Sequence, residues 1–250
     1  MHRPPSGTTN QLKTKKQNNF MTDQGKYAYD FDYLMHEYII NELKEFFVIG
    51  NAVEVGCYEG HMTELLTPHF STLTVVEADK EFAKKVSKRL PAVEAIHSRI
   101  EDFPLNRKFD NAFIVHTLEH IKNDVEVLAT LGNLLSERGR LFVVVPNATA
   151  GSRQIAVAAG LIENPYGITD SEREHGHLRT YDSRTLRKVV DDVGLKVIAS
   201  GGIFFKALAN FQLDASMKSG VIGEEYLRGC LLLSKRYPDL CSSIYAVCES

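Results

Sequence analysis

The segment Asn51–Gly60 (Asn-Ala-Val-Glu-Val-Gly-Cys-Tyr-Glu-Gly) constrains this chain more than any other. An apolar run carrying one acid, Glu54, breaks into a loop that holds Gly56 and Gly60. A second run, Thr72–Glu77 (Thr-Leu-Thr-Val-Val-Glu), ends in another acid. Glycine after a strand lets the backbone approach a ligand closely, because it carries no Cβ. An acid roughly 20 residues further on is placed to accept hydrogen bonds from ribose hydroxyls. Such a pair belongs at the carboxyl edge of a parallel sheet, where the strand order reverses. The loop lacks G-x-G-x-x-G, so it is not shaped for a dinucleotide.

The flanking sequence supplies the rest of such a sheet. Apolar residues from Phe31 to Phe47 recur at helical spacing. A strand is expected at Ala52–Val55, a helix at His61–His69, a strand at Thr72–Glu77 and a helix at Lys80–Leu90, ended by Pro91. Strands follow at Val93–His97 and Asp110–His116. A helix over Asp124–Ser136 and a turn at Gly139 lead into a fifth strand, Leu141–Val145. Beyond Pro146 come a short helix at Ser152–Gly160 and a polar loop, Asn164–Arg179, suited to cover a site. A helix at Ser183–Val193 has Ser183 as its expected N-cap and Gly194 just past its end. A strand at Lys196–Ser200, a helix at Glu224–Tyr237 and a last strand at Ser243–Cys248 complete the pattern. Short strands alternating with helices imply βαβ units. The expected fold class is α/β: a doubly wound, mostly parallel seven-stranded sheet with a helical insertion between the last two strands.

The expected organisation is a disordered polar tail over 1–22 and one domain over 23–250. Within the domain, 147–182 forms an acceptor-side loop and 203–240 a cap. A net charge of −3 gives no global attraction to nucleic acid or anionic membrane. Cys57, Cys230, Cys241 and Cys248 contain no C-x-x-C pair and read as thiols of a cytoplasmic protein. No apolar run approaches the ~20 residues that cross a bilayer.

Three signals combine with Glu54-Val55-Gly56-Cys57-Tyr58-Glu59-Gly60: the acid Glu77, the segment Ser98-Arg99-Ile100-Glu101-Asp102-Phe103-Pro104, and His116-Thr117-Leu118-Glu119-His120. On these, the chain from about Phe31 to Gly202 resembles the class I S-adenosylmethionine-dependent methyltransferases, in the small-molecule group that includes the ubiquinone O-methyltransferases. The resemblance implies the Rossmann-like methyltransferase fold, S-adenosyl-L-methionine as cofactor and S-adenosyl-L-homocysteine as product. It implies that Glu54 and the Gly56 backbone face the methionine end, that Glu77 binds both ribose hydroxyls, and that Ile100 and Glu101 frame the adenine. Cys57, Tyr58, Gly60 and Ala78 complete the implied cofactor wall, with His116 ending the fourth strand beside the sulfonium. The family usually has G-x-G-x-G after the first acid; Tyr58 stands at the middle glycine. Arg99 stands where the family often has Asp.

The implied reaction moves a methyl group onto an oxygen, or less readily a nitrogen, of a small-molecule acceptor. A histidine titrates near neutrality and can take the hydroxyl proton. The candidates are His175 and His177, in the polar loop, and His116, with His120 nearby. His116-Thr117-Leu118-Glu119-His120 also spells the metalloprotease string H-x-x-E-H, but His116 closes a strand, so no metal site is expected. Arg153 and Arg179 are candidate partners for an anionic acceptor group. Ile203–Phe211 reads first as core or subunit interface, and second as a pocket wall. A homodimer through the C-terminal cap fits this reading. The rival readings are an RNA or protein methyltransferase, a nicotinamide-dependent dehydrogenase and a non-catalytic nucleotide-binding module of the same fold.

Overall fold

The computed structural model describes residues 30–250. The tail expected over 1–22 and the first residues of the domain lie outside that range.

Seven strands form one sheet: β1 Ala52–Val55, β2 Leu73–Glu77, β3 Glu94–His97, β4 Phe109–Val115, β5 Leu135–Pro146, β6 Lys196–Phe205 and β7 Cys241–Glu249. Their order is β3-β2-β1-β4-β5-β7-β6. Every pair is parallel except those made by β7, which runs antiparallel to β5 and β6. Nine α-helices accompany the strands among the described residues. They are α1 Asp30–Leu43, α2 His61–Leu66, α3 Lys80–Arg89, α4 Asp124–Leu134, α5 Gly151–Ala158, α6 Asp170–Glu174, α7 Ser183–Asp192, α8 Asn210–Lys218 and α9 Glu224–Ser234. None is long and apolar enough to cross a membrane.

Burial on both faces explains the continuous apolar runs of the central strands. Along β4 and β5, Ala112, Ile114, Leu141 and Val143 pack with Leu128 and Leu131 of α4 and Val190 of α7. Their neighbours Phe113, Val115, Phe142 and Val144 point the other way, to Phe31, Met35 and Ile39 of α1. There the Phe113 and Phe142 rings stack with centroids 4.6 Å apart. This alternation is the strand period of two, and it clamps helices onto both faces.

The chain steps outward from β1 to β2 and β3, then crosses back to lay β4 on the other side of β1. The loops after β1 and β4 therefore open side by side at the reversal, where such sheets bind ligands.

Four boundaries depart from expectation. β5 begins at Leu135, directly after α4; the register jumps from Phe109↔Leu135 to Asn111↔Arg140, and Gly139 sits inside this bulge rather than before the strand. A Cβ on Gly139 would lie 2.7 Å from the Phe109 carbonyl oxygen, so the bulge needs glycine. Asp182, not Ser183, caps α7: its carboxylate accepts the Thr185 amide at 2.6 Å, and Thr185 reciprocates in a capping box. The polar loop contains α6, started by a Thr169–Glu172 capping box that the T-x-x-E spelling signals. Finally, β6 runs on to Phe205, so the cap starts only with α8.

Candidate active site

The turn from β1 into α2 builds the first cavity. Gly56 adopts φ 74° and Tyr58 φ 48°. The left-handed region costs a non-glycine residue roughly 1–2 kcal/mol, so something must hold Tyr58 there. Glu77 does so. Its Oε2 accepts the amides of Cys57 (2.8 Å) and Tyr58 (3.2 Å), while Oε1 accepts the Asp79 amide at 2.9 Å. The Tyr58 ring adds a contact with Phe82, centroids 4.6 Å apart. A tyrosine can thus stand where the family has glycine. Gly56 has no such latitude: a Cβ there would fall 2.5 Å from both Thr117 Oγ1 and Cγ2, across the seam to the loop after β4.

This cavity encloses about 590 Å³ at the β1/β4 reversal. Glu54, Gly56, Cys57, Tyr58, Glu77, Ala78, Ile100, Glu101 and His116 all line it. Gly60 does not: it opens α2 and backs onto Val86, with the Arg89 guanidinium donating to its carbonyl. Arg99 also lines the cavity, paired with Asp102 at 2.9 Å. Tyr33 and His36 of α1, with His61 of α2, are wall residues that sequence reasoning missed; the α1 stripe read only as cover for the sheet. His36 and His61 join Nδ1 to Nδ1 at 2.9 Å.

Glu54 is 1% exposed, and its Oε2 accepts the Thr63 hydroxyl at 2.6 Å. Burial pushes its pKa up to about 8. The folded protein therefore holds a proton that the unfolded chain releases near pH 4.5. This term favours folding most at low pH and is lost as pH rises through 8. Over pH 6.5–8 the melting temperature of the ligand-free protein should fall more steeply than that of Glu54→Gln, by differential scanning calorimetry. Equal slopes would show that Glu54 is already ionised.

A second cavity, of about 250 Å³, lies beyond the β4 end. His116 and His120 line both cavities, so the two meet along the loop after β4. His116 has φ 47°, a strained conformation for a non-glycine residue; its Nε2 meets the Ser243 hydroxyl at 2.8 Å. Burial pushes its pKa down to about 3, so its ring is neutral. His175 and His177 both line the second cavity. His177 meets His120 edge to face, centroids 4.7 Å apart, and burial lowers its pKa to about 4. His175 Nδ1 lies 2.6 Å from the Ser171 carbonyl oxygen. A carbonyl only accepts, so Nδ1 carries a proton, and in the neutral ring the lone pair sits on Nε2.

The arginines are committed within the protein rather than left for an anion. Arg153 holds the polar loop through the carbonyls of Pro165 (2.8 Å) and Gly167 (2.6 Å) and through Glu172 (2.5 Å). Arg179 pairs with Asp124 and donates to the Lys122 carbonyl at 2.6 Å. Sequence reasoning also missed a polar chain on the wall of the second cavity. Lys206 Nζ donates to Asn210 Oδ1 (2.6 Å), and Asn210 Nδ2 donates to Asp32 Oδ1 (2.9 Å). Burial lowers the Lys206 pKa to about 8 and raises that of Asp32 to about 6. Asp32 lies between Phe31 and Tyr33, and Lys206 follows Phe204 and Phe205; these aromatic neighbours masked both in the sequence. Phe204 itself is core, 5.0 Å from Phe31 and stacked on Tyr38 at 5.5 Å.

A doubly wound sheet with an acid-tethered turn at its reversal, and a second cavity sharing a wall with the first, is the architecture of a nucleotide-type ligand site. Residues 27–200 match the methyltransferase domain family. The chain belongs to it, as a class I S-adenosylmethionine-dependent methyltransferase. Nodulation protein S of Rhizobium tropici is 33% identical over 90 residues, 35% of this chain and 38% of the relative. The match thus spans well under half the length of that curated relative. Among solved structures, the N-methyltransferase NodS of Bradyrhizobium japonicum WM9 with S-adenosyl-L-homocysteine aligns at TM-score 0.54 and 14% identity, over 88% of this chain and 87% of that one. An S-adenosylmethionine-dependent methyltransferase from Clostridium acetobutylicum ATCC 824 aligns at 0.56 and 13%, over 88% and 92%. At these identities the likeness is one of fold.

The first cavity suits the cofactor. Its volume fits a drug-sized ligand, a Cβ on Gly56 would block the turn, and carboxyl groups stand near the end of β1 (Glu54) and at the end of β2 (Glu77).

Proposed function

We propose that this protein transfers a methyl group from S-adenosylmethionine to a hydroxyl oxygen of a small polar molecule seated in the second cavity, in the cytosol. The shared wall of the two cavities at His116 and His120 carries this reading, because a reacting pair must meet at one seam. S-adenosylmethionine, when bound, supplies a methyl group on a positively charged sulfur that needs no activation. The protein aligns the acceptor and removes its proton. His175 is the base: its Nδ1–H is fixed on the Ser171 carbonyl, leaving Nε2 to accept. Lys206, Asn210 and Asp32 orient the acceptor. A nitrogen acceptor is the second reading, favoured by the likeness to NodS, an N-methyltransferase.

A radiolabelled methyl donor offered with matched hydroxyl and amine panels tests the choice. Label on the hydroxyl series supports it, and label on amines alone overturns it.

Glu54 adds a proton to the binding step. Its carboxyl is neutral at pH 7 in the free protein and ionises against the ammonium end of the cofactor. Calorimetry of S-adenosylmethionine binding at pH 7, in buffers of different ionisation enthalpy, should report net proton release. Zero release would remove Glu54 from the ammonium.

A further inference from the structure

The turn after β4 and the loop after α6 converge on a buried carboxylate. Glu119 is 1% exposed, and neither of its oxygens has a hydrogen-bond partner among the described residues. An isolated carboxylate costs several kcal/mol to bury as an ion, so it calls for a proton or a cation. Two imidazoles stand beside it. His120 Nε2 is 3.9 Å from Glu119 Oε1, and His177 packs on the His120 ring. One donor atom from each of the three residues lies within 4.8 Å of the others. Their backbones are tied together as well: the Leu178 amide donates to the Glu119 carbonyl at 2.9 Å, which pins the loop onto the turn.

We propose that Glu119, His120 and His177 bind one divalent transition-metal cation at the wall of the acceptor cavity. Two imidazole nitrogens and one carboxylate oxygen are a donor set for zinc, with a fourth position open, and also suit ferrous or manganous ions. With bonds of about 2.0–2.2 Å, tetrahedral ligand atoms stand about 3.4 Å apart, so side-chain rotations of an ångström or so close the set. All three residues line the second cavity, and the open position faces it. The H-x-x-E-H string does not supply the set. His116 is held by Ser243, and its place is taken by His177, from a loop that sequence spacing does not connect to it. On the methyl-transfer reading above, on which this role rests, the cation offsets the negative charge that the acceptor oxygen gains as its proton passes to His175.

The test titrates metal-stripped full-length protein with Co²⁺, followed by visible absorption, and with Zn²⁺ by equilibrium dialysis. One cation per chain and a low-symmetry cobalt band are expected. Glu119→Gln, close in shape to the protonated side chain, and His177→Asn should each abolish the band. Each should also weaken Zn²⁺ binding by more than about 100-fold, beyond the loss of an outer partner. Calorimetry with S-adenosylhomocysteine on the same variants should give unchanged affinity, which shows that fold and cofactor cavity persist. Absence of the band in the parent overturns the site, and so does a band that survives both substitutions. Metal binding without methyl transfer to any acceptor would count against the methyl-transfer reading and leave the site standing.

Discussion

His175→Ala should lower kcat by about 10²–10⁴ with S-adenosylmethionine affinity nearly unchanged, the range for loss of a general base. The measurement uses a hydroxyl acceptor identified in the labelled panel, with cofactor affinity followed in parallel by calorimetry. His175 is separated from its rivals by geometry. His116 is tied to Ser243 through Nε2. His120 and His177 pack edge to face on one another, with the Glu119 carboxylate 3.9 Å from His120 Nε2. His175 has its Nδ1 proton held by the Ser171 backbone carbonyl, which fixes the tautomer a base requires. A lost base is also partly replaced by hydroxide, so the variant should regain activity as pH rises. Full activity at neutral pH would send the proton elsewhere. Lys206, with its pKa drawn down to about 8, is the next group placed to take it.

Local features were legible and distant ones were not. The β1–turn–β2 unit is encoded within roughly thirty contiguous residues, so its strands and its two acids were legible from the pattern, and the family resemblance added five cavity positions within it after Glu54: Gly56, Cys57, Tyr58, Glu77 and Ala78. Gly60 was misplaced because glycine at a helix start and glycine at a ligand look identical in sequence. Which one faces the cavity depends on where α3 sets Val86. The start of β5 was missed for a similar reason. Leu135 looks like the last helical leucine of α4, and only pairing with Phe109 makes it a strand residue. The second cavity was less readable: His116, His175 and His177 were named from the sequence, but Asp32, Glu119 and Lys206 come from separate stretches that the sheet crossover, the Leu178–Glu119 backbone bond and the Lys206–Asn210–Asp32 chain bring together.

Glu77→Ala should weaken S-adenosylmethionine binding by about 1.5–3 kcal/mol, roughly 10- to 150-fold, the range for hydrogen bonds to a charged acceptor. Two effects feed this loss, and they can be separated. The carboxylate is proposed to bind the ribose hydroxyls, and in the structure it also holds the amides of Cys57 and Tyr58. Without it, Tyr58 loses the bond that keeps it at φ 48°, and the turn can relax away from the ligand. An S-adenosylhomocysteine analogue lacking both ribose hydroxyls distinguishes the two. If Glu77 acts on the ribose, parent and variant should bind the analogue with nearly equal affinity. If it acts only by shaping the turn, the full penalty should persist against the analogue, and the ribose assignment fails. Unchanged affinity for S-adenosylmethionine itself, with the fold intact, would remove both roles. The loop amides would then have found another acceptor, and the acid at the end of β2 would no longer mark the cofactor.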